Sequence, residues 1–132
     1  MAETDNTLEI RTLVANLDLS AQQYNLMQDI GNGRIKVASE AVNFAIAGVL
    51  MNKPAAAGRH ASVAYRGAGK VRIGAAVNTI QAYLTTNGSG RAIVASSGEV
   101  IFGKARETGT ADGDIISVEL IEPFRLSGSD TR

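Results

Sequence analysis

Two stretches of this chain echo each other. Gly33-Arg34-Ile35-Lys36-Val37-Ala38-Ser39 returns as Gly90-Arg91-Ala92-Ile93-Val94-Ala95-Ser96, an offset of 57 residues (33 to 90). Farther on, Gly48, Gly58 and Val63 return as Gly103, Gly113 and Val118, an offset of 55 (48 to 103) with the same internal spacings. A Tyr opens each copy (Tyr24, Tyr83), and a Phe stands at or shortly before the first spaced glycine (Phe44, Phe102). Two blocks in the same order at nearly the same offset point to a tandem duplication. A lone β-hairpin unit cannot bury its apolar face, whereas two units can close around one core. The fold expected is therefore mainly β: a small barrel- or sandwich-like domain built from two tandem β-hairpin repeats, preceded by an extended N-terminal arm.

Composition agrees. The apolar 45% is carried by Ala, Val, Ile and Leu, aromatics are 5%, and 14 glycines accompany 2 prolines. That suits short strands joined by tight turns better than a helical bundle. A chain of 132 residues fits one domain that buries roughly two-thirds of its unfolded surface.

Thirteen basic residues balance thirteen acidic ones. A nucleic-acid binder needs clustered cations to displace counterions from phosphates, so no nucleic-acid partner is expected. The absence of Cys removes disulfides, thiolate metal sites and thiol catalysis. No apolar run approaches the length of a membrane span and the polar start is unlike a signal peptide, so no membrane partner is expected and the chain reads as cytosolic when made.

Along the chain, residues 1–18 read as an N-terminal arm, 19–123 as the β-rich domain and 124–132 as a polar, frayed tail. Leu8–Val14 alternates and then runs apolar, as an edge strand or as an arm that adds a strand to a neighbour. Its Leu8, Ile10, Leu13 and Val14 are the candidate contact residues. Residues 19–30 admit a short helix capped by Ser20, or a strand entering the Gly31-Asn32-Gly33 turn. The hairpin is favoured because Gly-Asn-Gly supplies positive φ cheaply.

Candidate chemistry is sparse. Arg66-Gly-Ala-Gly-Lys70 lacks both the first Gly and the final Ser/Thr of a phosphate loop and reads as a β-turn. Asp112-Gly-Asp114 lacks the later ligands of a calcium loop and reads as a hairpin turn. His60 stands alone at a strand start, and Ser39, Ser96 and Ser97 have no neighbour to activate them. The pairs Glu119/Glu122 and Glu99/Glu107 are spaced as solvated strand positions. No catalytic residue, metal ligand or cofactor is expected, and the chain does not read as an enzyme.

From Gln23-Tyr24 through Asn32-Gly33 and Val37-Ala38-Ser39 the chain resembles the capsid decoration, or cement, proteins of tailed bacteriophages. The resemblance continues in Ala47-Gly-Val-Leu-Met-Asn-Lys-Pro54 with Ala57-Gly58, in Val63, Gly67 and Lys70-Val71, and in Phe102-Gly103-Lys104-Ala105. It ends with Gly113-Asp114 and Ile116-Ser117-Val118. Ala75-Ala76-Val77-Asn78 departs from the Gly-Asp that relatives often carry. The resemblance implies a homotrimer at three-fold positions on the outer surface of an expanded icosahedral head, assembled in the host cytoplasm. Its partner would be the major capsid protein, whose neighbouring subunits it would clamp. On this view residues 2–14 would augment a neighbour's sheet, and deleting them would remove head binding while leaving the fold intact. A small β-barrel binding a ligand or carbohydrate is the other reading, with few aromatics and no Trp against it.

Overall fold

The computed structural model describes residues 8–39 and 46–125. Phe44, residues 2–7 of the leader and the tail from 126 lie outside the described residues. The strands are β1 (Glu9–Ala15), β2 (Leu26–Gly31), β3 (Arg34–Val37), β4 (Ile46–Leu50), β5 (His60–Arg72), β6 (Tyr83–Thr86), β7 (Ala92–Val94), β8 (Val100–Ala105) and β9 (Ile115–Arg125). There is no helix among the described residues, and the expected mainly-β barrel is the architecture found.

The favoured hairpin forms because its turn residues allow it. Gly31 pairs with Arg34 across Asn32-Gly33, whose φ values of 56° and 75° define the primed turn that matches strand twist. The Asp29 carboxylate accepts the Gly31 N–H at 2.8 Å. Residues 19–25 make turns instead of a helix, with Gln22 N–H donating to Leu19 and Asn25 N–H to Gln22.

The strands run in the order β1-β3-β2-β4-β5, and β1 also pairs with β5, which closes a five-stranded ring. β1 runs parallel to β3 at Val14 and Ala15 and antiparallel to β5 from Glu9 to Val14. Closure satisfies ladder groups that an open sheet would leave at its edges. The second half repeats the scheme in the order β5-β9-β8-β6-β7. There Ile73, just past β5, bridges Ala92 in parallel as Ala15 bridges Ile35.

The duplication therefore reaches farther than the sequence echo. Val14 faces His60 and Thr12 faces Ser62; Arg72 faces Ile115 and Lys70 faces Ser117. The second half of β5 is thus the counterpart of β1, and one long strand ends the first barrel and begins the second. Arg66–Lys70, expected as a β-turn, is the middle of that strand. Gly67 there has φ of 102°, and Gly69 serves packing: a Cβ on it would press on Leu8 and Leu120 at 3.3 Å. The two tyrosines are not counterparts either. Tyr24 N–H donates to Leu50 and Gln81 N–H to Ala105, both with left-handed φ (71° and 74°), so Gln81 answers Tyr24. Tyr83 takes the place of Leu26, which pairs with Val49 as Tyr83 pairs with Lys104.

Each barrel is filled from equivalent positions. Ala15, Leu19, Met27, Ile35, Ala47, Leu50, Ala61 and Val63 pack together in the first. Their counterparts Ile73, Val77, Leu84, Ala92, Phe102, Ala105, Ile116 and Val118 are all buried in the second. Sizes trade places: Ala15 becomes Ile73 and Ala47 becomes Phe102, while Ile35 and Leu50 become Ala92 and Ala105. Two interiors of similar volume arise from different residues, which is how close-packed cores tolerate substitution.

Where the barrels meet, the repeat breaks. Val49 and Ala64 are fully buried in the seam, yet their counterparts are Lys104 and Glu119. Across the seam Arg72 N–H donates to Tyr24 O at 2.8 Å and Leu26 N–H to Gly90 O at 2.6 Å. The Arg72 guanidinium adds bonds to Gly113 O and Gln23 O, at 3.1 and 3.4 Å.

Candidate functional site

The four candidate contact residues lie on or beside β1, and they do not form one patch. Leu8 packs on the core cluster near Gly69 and Leu120. Leu13 packs against the interior of the first barrel and Val14 is half-buried. Ile10 is 49% exposed, between exposed Glu9, Arg11 and Thr12. Only Ile10 is free to meet a partner through its side chain.

Backbone direction fixes which edge of β1 is open. Ala15 N–H points toward β5, donating to Arg59 O, and Val14 N–H points toward β3, donating to Gly33 O. Successive residues alternate, so Ile10 and Thr12 turn their N–H and C=O groups to the β3 side. The ladder with β3 covers only Val14 and Ala15, leaving that edge at Ile10 and Thr12 with no strand partner among the described residues. The opposite edge is occupied by β5. Removing residues 2–14 would thus take a stave from the barrel wall as well as any reach toward a neighbour.

Beside this edge, at the junction of the barrels, lies a cleft of about 300 Å³ floored by Phe102 and Leu120. The Arg11 guanidinium sits 4.7 Å from the centroid of the Tyr65 ring, a cation–π contact at its rim. Arg66 and Glu122 pair at 3.4 Å with both side chains mostly exposed, so this bridge adds little stability. Arg11, which rims the cleft, lies in β1 between Ile10 and Thr12 of the open edge.

The remaining candidates have structural duties. Glu119 pairs with Arg106 at 2.9 Å, Glu99 accepts the Ser96 N–H and Glu107 accepts the Ser117 N–H, both at 2.7 Å. Asp114 holds the β8–β9 turn by accepting from Thr110 and Ala111 N–H, and Gly113 there has φ of 98°. His60 is exposed at the start of β5. Among the described residues no group of His, Asp and Glu is placed to hold a metal ion. Asp18 has its carboxyl held below the ordinary value by the Ser20 hydroxyl and then by the Ser20 N–H.

No family model matches the sequence, and no curated protein matches it. Among solved structures the chain is similar to the head fiber gp8.5 N base of bacteriophage phi29. The TM-score is 0.64 at 20% identity, over 92% of this chain and 99% of that one. The likeness is one of fold and takes in both barrels.

The sequence reading missed a second, polar cleft where the barrels join, lined by Gln22, Asn25, Asn87, Arg91 and Asp112 among others. Its signal was present as departures from the repeat: Ala82 stands at the counterpart of Asn25, and Ala57 at that of Asp112.

Proposed function

We propose that this protein is a structural component of a tailed-phage virion that binds the outer surface of the expanded head. In this role it assembles in the host cytoplasm, contacts the major capsid protein, and clamps neighbouring capsid subunits as a homotrimer at three-fold positions, without catalysis. The observation that carries the reading is the likeness in fold, over nearly its whole length, to the base of a phage head fiber. The resemblance to cement-protein motifs around Gly48 and Gly103 supports the same assignment. On physical grounds, a neutral chain does not adhere to DNA, and many identical weak contacts over a shell sum to firm attachment.

The open edge of β1 at Ile10 and Thr12, with the cleft rimmed by Arg11 and Tyr65, is the capsid-facing surface in this proposal. Co-sedimentation with expanded, undecorated heads of the parent phage tests it. Saturable binding that raises the thermal resistance of the heads is expected, and Ile10→Arg should weaken it while the isolated protein melts unchanged. Failure of the unaltered protein to bind expanded heads overturns the reading. Sedimentation equilibrium of the free and head-released protein tests the trimer.

A further inference from the structure

The two halves of this molecule share most of their backbone scheme, which makes a place where they differ informative. The polar cleft at the seam, about 490 Å³, is such a place. Asn25 at its base is 3% exposed, and its Oδ1 has no hydrogen-bond partner among the described residues. Its Nδ2 donates to Gln22 Oε1 at 2.6 Å, which orients the carboxamide. Leaving a buried acceptor unmet opposes folding, and Ala82 at the equivalent position shows that the backbone there does not need an amide. Asp112, which pairs with Arg91 at 2.6 Å across the cleft, likewise answers to Ala57 in the other half.

The groups that line the cleft define what it suits. Arg91 retains donors beyond its bond to Asp112, and the largely exposed Asp112 carboxylate retains acceptor capacity beyond the one bond it receives. The Gln22 amide offers donors, and Asn25 lacks one. Donors and acceptors are therefore both present in a site whose formal charges cancel. An anion would meet Asp112 and a cation would meet Arg91. A hydroxyl group, which donates and accepts at once, satisfies both. Val37 supplies an apolar wall for a C–H face.

We infer that this seam cleft binds a neutral polyhydroxylated ligand, a sugar unit, with Asn25, Arg91 and Asp112 as the specifying residues. This goes beyond the capsid role and stands or falls separately from it. No aromatic ring lines the cleft, so binding rests on hydrogen bonds and is weak, with a Kd on the order of millimolar.

The test is titration of the isotope-labelled full chain, followed by NMR, with a panel of free monosaccharides and, separately, with soluble bacterial cell-wall glycan fragments. The expected result is a saturable shift of the Asn25 side-chain amide and of the Asn87–Arg91 backbone with at least one sugar. Asn25→Ala and Asp112→Ala, which install the residues of the other half, should each weaken it about tenfold, with the spectrum otherwise preserved. A response to glycan fragments alone identifies a surface polymer as the source, and a response to monosaccharides identifies a single residue as sufficient. The inference is overturned if neither series shifts the cleft, or if the shifts survive both substitutions.

Discussion

Gly48 and Gly103 occupy the same position in the two barrels: a Cβ on Gly48 would strike the Ala64 carbonyl oxygen, and one on Gly103 would lie 2.6 Å from the Glu119 carbonyl oxygen. Ladder registers slip beside both, after Met27 opposite Gly48 and between Ile101 and Gly103. The pair marks where each barrel draws its neighbouring strands together, closer than a side chain permits. Gly48 also has φ of 142°.

Alanine at these sites should therefore destabilise the fold. Gly48→Ala is expected to cost about 2–4 kcal/mol, and Gly103→Ala about 1–3 kcal/mol. Urea denaturation reads both. Costs under about 0.5 kcal/mol, typical of a neutral surface change, would show the close approach to be relaxed in solution.

The exchanged core sizes predict a compensation. Phe102→Ala should cost about 3–5 kcal/mol, and Ala47→Phe should overpack the first barrel by about 1–3 kcal/mol. Combining Ala47→Phe with Leu50→Ala installs the pairing of Phe102 with Ala105 and should be less destabilised than the sum of the single changes. A double-mutant cycle with no coupling would refute the interchange.

Landmarks that depend on backbone geometry were legible in the sequence, because a glycine with left-handed φ or a near contact leaves little choice of residue. Gly33 and Gly90, with φ of 75° and 78°, and Gly58 and Gly113, at 88° and 98°, are such positions. The correspondence of β1 with the second half of β5 was hidden, since Val14 answers Arg72 and Ala15 answers Ile73. Such residues need only fill their own surroundings. Tyr24 and Tyr83 misled for the converse reason: identical residues two places out of register invite alignment, while the hydrogen bonds of Tyr24 match those of Gln81. Gly67 and Gly69 look like turn residues in sequence, and only the φ of 102° at Gly67 and the closeness of Gly69 to Leu8 and Leu120 explain them as strand. At the surface, Ile10 could be named from the sequence as a candidate contact residue, but which edge of β1 lies open depends on pairings made 20 or more residues away, at Arg34 and beyond.

Arg72 ties the seam through two carbonyl oxygens that no other side chain reaches in the described contacts, Gly113 O and Gln23 O. Arg72→Met keeps the stem and removes the guanidinium. It should cost about 1–3 kcal/mol and speed amide exchange at Leu26, whose N–H is bonded to Gly90 O across the seam. Exchange at Leu26 no faster than in the unaltered chain would assign the tie to packing alone.

Asp18 provides a pH-dependent check. Its carboxylate accepts from Ser20 Oγ at 2.7 Å and Ser20 N–H at 2.9 Å, which holds its pKa below the ordinary 3.8. A depressed carboxyl favours the folded state above the ordinary value, and that contribution fades as pH falls through the folded one. Carboxyl titration by NMR should find Asp18 below 3.8, and Ser20→Ala should move it back up. An unchanged titration after the substitution would remove the hydroxyl as the cause.

The continuous passage of β5 from one barrel into the other has a mechanical meaning. Multi-lobed proteins commonly swing about a short flexible connector, but here the connector is itself a stave of both lobes, held by β1 and β4 on one stretch and by β9 on the next. There is no pivot. A load applied to either lobe passes into the other along covalent backbone and a registered ladder, so the molecule transmits force as a rigid strut.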